Sequence, residues 1–107
     1  MGARGQVSIK YDDNTKVYLY THWGVGELKA DVQKALARKQ RWDDEEYLTR
    51  IIFDAMKGED ITGETGFGIG TSEHEDIELL VQIEPGQKVR IGDMVWTFDE
   101  YLLQTID

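Results

Sequence analysis

The sequence predicts an α+β fold of two layers: an antiparallel sheet of about six strands with two helices on one face, in the order ββααββββ plus a short C-terminal helix. Three observations carry it. Apolar residues alternate at a period of two near the N-terminus and again from Ile77 to Phe98; two segments between them repeat at the helical period; and tight turns join the strands. Strands linked by tight turns pair antiparallel, and helices consecutive in the chain cover one face.

Gln6 to Tyr11 is the first strand, with Val7, Ile9 and Tyr11 apolar, and Asp12, Asp13, Asn14 and Thr15 form a turn before a second strand, Lys16 to Trp23. With Val17 and Leu19 on the core side, Tyr18, Tyr20 and His22 form a row on the other. Glu27 to about Lys39 carries Leu28, Val32, Ala35 and Leu36 at i, i+4, i+7 and i+8, an amphipathic helix. Lys34, Arg38 and Arg41 share its outer face, where they complement the helix dipole on a solvated face or receive an anion or a partner. Asp43 and Glu46 have capping-box spacing, with Trp42 placed to staple onto Tyr47, so a second helix is expected from about Asp44 to Lys57, stopped by Gly58. Its predicted buried arc holds Tyr47, Leu48, Ile51, Ile52, Ala55 and Met56 and leaves Phe53 outside.

Glu59 to Glu64 is a loop, and Gly66 to Gly70 is a strand with Phe67 and Ile69 on one side and bare backbone on the other. Ile77 to Ile83, Val89 to Ile91 and Met94 to Phe98 form a meander. A Gly92–Asp93 type II′ turn sets Ile91 opposite Met94 and Val89 opposite Trp96, and a three-residue loop, Pro85 to Gln87, sets Ile83 opposite Val89 and Glu84 opposite Lys88. Thr97 and Glu100 make a second capping box, opening a helix from Phe98 to about Thr105.

All of this fits a single α+β domain over residues 1–107, whose 40% hydrophobic content is too high for a disordered chain. Zero cysteines exclude disulfides, thiolate metal sites and a cysteine nucleophile, and suit a reducing cytoplasm. Met1 to Gln6 has no signal-peptide core, Gln6 replaces the Ser or Thr of a myristoylation motif, and no stretch approaches the roughly 20 apolar residues of a membrane span, so no membrane partner is expected. The net charge of −9 is uneven: residues 1–58 hold ten basic and nine acidic side chains, whereas residues 59–107 hold two and twelve. An acidic half repels phosphate backbones and argues against direct nucleic-acid binding; it keeps the domain soluble or meets a basic partner.

Nucleophile elbow, P-loop and paired-histidine zinc motifs are absent, so no catalytic residue, metal ligand or cofactor is assigned. Two residue sets stand out. Arg4, Tyr20, His22, Trp23, Gly24 and Arg50 could gather around the entry to the first helix, where free amides attract anions; alternatively, His22 bonds backbone at the strand end while Trp23 packs. Phe53 with Glu73, Glu75, Asp76 and Glu78 could form a partner surface; more simply, the acidic run around His74 is a solvated loop.

Three motifs also resemble those of small, uncharacterised bacterial, archaeal and phage-associated proteins: Met-Gly-x-Arg (Met1, Gly2, Arg4), Tyr-x-Tyr-x-His-Trp-Gly (Tyr18 to Gly24) and Arg-Trp-Asp-Asp-x-x-Tyr-Leu-x-Arg-Ile-Ile-Phe (Arg41 to Phe53), with Gly66 to Ile69 as a further likeness. The resemblance spans about residues 1–70 and implies one compact domain, with no activity to carry over. Where those proteins pair glycines after the tryptophan, this chain has Gly24, Val25 and Gly26. The leading expectation is a non-catalytic interaction protein, of the kind encoded by phages or mobile elements, with a protein or nucleoprotein partner and exposed edge strands suited to a homodimer. The alternative is a ligand-binding domain or small enzyme for a phosphorylated or anionic molecule at the His22–Trp23–Gly24 loop.

Overall fold

A computed structural model describes residues 4–12, 14–60, 63 and 65–106. The expected two-layer α+β architecture is present: β1 (Gly5–Asp12), β2 (Thr15–Thr21), α1 (Val25–Ala37), α2 (Glu45–Lys57), β3 (Phe67–Gly70), β4 (Leu79–Glu84), β5 (Lys88–Ile91), β6 (Met94–Thr97) and α3 (Phe98–Leu102). Met1 and Gly2 of the first motif, Asp13 of the first turn, and Ile61, Thr62 and Glu64 of the predicted loop lie outside the described residues.

The six strands form one sheet in the order β3-β2-β1-β4-β5-β6. Four pairings are antiparallel, as expected, and one departs from that expectation: β1 and β4 run parallel, Gly5 opposite Leu79 through Ile9 opposite Ile83. Period-two alternation is the same for either direction, so the sequence pattern could not signal this pair. Both C-terminal hairpins carry the predicted register, Ile83 opposite Val89, Glu84 opposite Lys88, Val89 opposite Trp96 and Ile91 opposite Met94. Gly92 at φ 60, followed by an Asp93 of ordinary φ, is the backbone signature of the type II′ turn.

One sheet face is apolar, with Val7, Ile9, Leu19, Val81, Ile83 and Val89 buried beneath the helices. From α1 the residues Leu28, Val32, Ala35 and Leu36 are buried, the four that the helical spacing selects. α3 follows its capping box, with Thr97 accepting from the Glu100 amide and Glu100 accepting from the Thr97 amide, but ends at Leu102. Phe98 and Tyr101 enter the core, and the Gln33 amide donates to the carbonyls of Tyr101 and Gln104 at 2.9 and 2.8 Å, fastening this end to α1.

The start of α2 differs from the sequence expectation. Asp44, not Asp43, is the N-cap and accepts from the Tyr47 amide. Trp42 does not staple onto Tyr47: its indole N–H donates to the Leu36 carbonyl at 3.1 Å, and its ring meets Phe98 edge-on. Closing the end of α1 and filling the core together outweigh a local staple, because a buried indole needs both apolar contact and an acceptor. Tyr47 is therefore exposed, with the Arg41 guanidinium 4.7 Å from its ring centre. The buried stripe of α2 is Leu48, Ile52 and Met56, flanked by Thr49 on one side and by half-buried Ile51 and Ala55 on the other. The Thr49 hydroxyl donates to the Glu45 carbonyl, so the Tyr11 phenol, 3.1 Å away, is the donor in their contact.

Asp44→Ala should cost about 0.5–2 kcal/mol in chemical denaturation, the range for losing an N-cap, whereas Asp43→Ala should be near neutral. Equal costs would place the helix start at the wrong residue.

Candidate functional site

Because β3 pairs antiparallel with β2, and β2 with β1, β3 and β4 run in the same direction with two strands between them. The link, residues 71–78, must cross three strand spacings, roughly 14 Å. The helices occupy one face, so the link crosses the other. It forms a strap over the polar face, where Gln6, Ser8, Tyr18 and Tyr20 alternate with the core residues of β1 and β2.

Polar groups of that face hold the strap down. Gln6 is only 1% exposed; its carbonyl accepts from the His74 amide at 3.0 Å and its amide donates to the Ser72 carbonyl at 3.3 Å. The His74 ring stacks on Tyr20, centroids 4.5 Å apart. Arg4 forms an ion pair with Asp76, and its carbonyl accepts from the Glu78 amide at 2.8 Å. The Arg4 Nε also donates to His22 Nδ1 at 3.3 Å, and the Tyr20 hydroxyl lies 3.1 Å from the same nitrogen. A guanidinium can only donate, so Nδ1 is the acceptor for both and the ring proton sits on Nε2. Trp23 meets His22 edge-on and lies against Gly66; a Cβ on Gly66 would come within 2.7 Å of its ring, and Gly66 has a φ of 98. Glycine is required there by both contact and backbone.

The structure thus brings together Arg4, Tyr20, His22 and Trp23 of the first predicted set with Asp76 of the second. Gly24 stands at the α1 N-cap, but its amide donates to the Thr21 hydroxyl at 3.0 Å, so it is not available to an anion. Arg50 is not in the cluster: it is 80% exposed on α2 and pairs with Asp54 at 3.6 Å, because its position on the helix faces away from the sheet. Phe53 is half-buried against the core rather than an isolated exposed ring, with the Lys57 ammonium 5.5 Å from its centre. Lys34 and Arg38 border a cleft of about 260 Å³ that Asp54 also lines, while Arg41 has turned to Tyr47, so the predicted basic row is divided.

Glu73, Glu75 and Glu78 stand exposed on the strap and form no ion pair with any described residue. Among the described residues no three His, Asp or Glu side chains converge as metal ligands, and no helix is long and apolar enough to cross a membrane. Gln6 and His74 as clamp residues were not read from the sequence: a glutamine in the polar register of a strand carries no mark of what will cover it.

Two titrations stand apart from the cluster. Burial pushes the Tyr101 phenol up to about 12, its hydroxyl donating to the Lys29 carbonyl. Burial first, then Glu27 one turn earlier, raises the Asp31 carboxyl from 3.8 to about 6, against the opposing pull of Lys34. No protein-family model, curated protein or solved structure matches the chain.

Gln6→Leu should leave the Ser72 carbonyl and the His74 amide without their partners, costing about 1–3 kcal/mol and speeding amide exchange at His74. Unchanged exchange would mean that Gln6 does not hold the strap. A raised acid pKa means that the native state binds the Asp31 proton more tightly than the unfolded chain does. The charged form therefore destabilises the fold fully above about pH 6, and this penalty disappears as pH falls toward 3.8. Asp31→Asn should accordingly raise the melting temperature at neutral pH, with the gain vanishing near pH 4; a pH-independent gain would refute this origin.

Proposed function

We propose that the chain is a non-catalytic interaction module whose strap presents a fixed row of carboxylates to a basic protein, or to the protein part of a nucleoprotein. The observation that carries this reading is the clamp. Gln6, Tyr20 and Arg4 fasten the strap through backbone, stacking and ionic contacts, while Glu73, Glu75 and Glu78 are left to solvent. A loop ordered before binding loses less entropy on association. Acidic charge directed outward steers a basic partner and repels phosphate backbones.

The anionic-ligand reading has less support from the same geometry. The Arg4 guanidinium is engaged by Asp76 and His22, the Gly24 amide by Thr21, and the His22 nitrogen that could act as a base already accepts from Arg4 and Tyr20. Absence of cysteine supports a cytoplasmic setting.

Capture of basic proteins from lysate by the tagged chain should fall about tenfold in the combined variant Glu73→Gln, Glu75→Gln and Glu78→Gln, as three screened charge contacts imply, and should weaken as salt rises. Capture that the triple variant leaves intact would eliminate the proposal.

A further inference from the structure

We propose that a second copy of this chain pairs with the open edge of β3, antiparallel, about a twofold axis at Gly68. Hydrogen-bond parity decides which groups this edge offers, whatever the strap does: the His22 amide donates to the Gly66 carbonyl at 2.8 Å, and the register continues with Tyr20 opposite Gly68 and Tyr18 opposite Gly70. Bonded and non-bonded pairs alternate along an antiparallel ladder, so Gly66, Gly68 and Gly70 face β2. The N–H and C=O groups of Phe67 and Ile69 then point outward from the last strand of the sheet.

Among the described residues nothing guards this edge. Residues 65–72 contain no proline and no charge, and the β2–β3 register has no bulge, although these are the usual devices that keep edges apart. Apolar side chains flank it instead. Ile69 is 64% exposed on the helix side of the sheet, in line with half-buried Phe67, and Trp23 is 62% exposed against Gly66.

The segment is complementary to itself. A twofold axis at Gly68 sets Phe67 opposite Ile69 of the second copy and Ile69 opposite its Phe67, so both pairs exchange hydrogen bonds and stack an aromatic ring on a β-branched chain. The same axis sets Gly66 opposite the second copy's Gly70. Cβ atoms at Gly68 and Gly70 would meet nothing within 4 Å, which leaves a bare strip on the polar face for the Trp23 rings. The strap departs from β3 toward β1, carrying its carboxylates away from the paired edge.

Sedimentation velocity across micromolar concentrations should show a monomer–dimer equilibrium that strengthens as salt rises, because two chains of net charge −9 repel at long range; binding by the acidic strap would instead weaken. Ile69→Lys should weaken association at least about tenfold. Leu103→Lys, at an 83% exposed side chain near the opposite edge, should leave it unchanged. In the wild type, Phe67 and Ile69 amides should exchange more slowly as concentration rises, while that of Gly68, already turned to β2, should not change; this measurement decides the matter if a variant fails to fold. A monomer throughout, a dimer indifferent to Ile69→Lys, or protection at Val95 on β6 in place of Phe67 and Ile69 would overturn the proposal.

Discussion

The parallel pairing of β1 with β4 is the constraint on which the rest of the molecule depends. A strand can lie parallel to its neighbour only if the chain returns to the end from which that neighbour began. Here the return starts at Gly70, level with Ser8, and finishes at Leu79, level with Gly5, with the helices already occupying one face. Residues 71–78 have no room for a crossover helix and pass as an irregular strap, with a turn at Glu75 and Asp76, over the other face. The strap, its clamp and the position of its carboxylates all follow from that one direction of pairing.

A backbone laid across a polar sheet face brings hydrogen-bonding groups that must be satisfied. Gln6 meets this demand with both ends of one amide, and no side-chain polar atom buried among the described residues lacks a partner. An apolar residue at position 6 would cover the same area but leave two strap groups unpaired, which costs more than the burial returns. The cluster around His22 is built on the same logic. Its parts resemble catalytic chemistry when read as residue types, yet each polar atom with a defined contact is used to hold another segment in place. Arg4 ties the strap to the end of β2 through Asp76 on one side and His22 on the other, beside the stacking of His74 on Tyr20.

The fold was most legible where local chemistry decides. Thr97 and Glu100 announced a cap, Gly92–Asp93 and Pro85–Gln87 announced two turns, and each turn length set a register that the sheet carries through. Legibility failed where a distant group competes. Asp43 and Asp44 are equivalent as caps until Trp42 is drawn to Leu36 and Phe98, which moves the helix start by one residue. The candidate site was half legible, because period-two alternation placed Tyr20 and His22 in one row and they do bond. That Asp76 and His74 arrive opposite them depends on the parallel pair, which alternation does not encode. Phe53 is placed outside the buried arc by helical angle alone, and a small rotation of the stripe carries it halfway into the core, whereas Arg50 lies opposite the stripe with or without that rotation and so stays away from the sheet.

The two edges of the sheet are not equivalent, and the reason again lies in hydrogen-bond parity. At β6 the II′ turn makes Ile91 and Met94 a bonded pair, so the groups facing outward belong to Val95 and Thr97. The Thr97 amide is already taken by the Glu100 side chain, and its carbonyl begins α3. A strand approaching that side finds one residue to pair with before the helix interrupts it. β3 ends in a strap that turns away over the sheet, so neither the strap nor a cap takes up the outward groups of Phe67 and Ile69. Capping the last helix and closing the last edge are accomplished by the same two side chains, and among the described residues no comparable device stands at the other end.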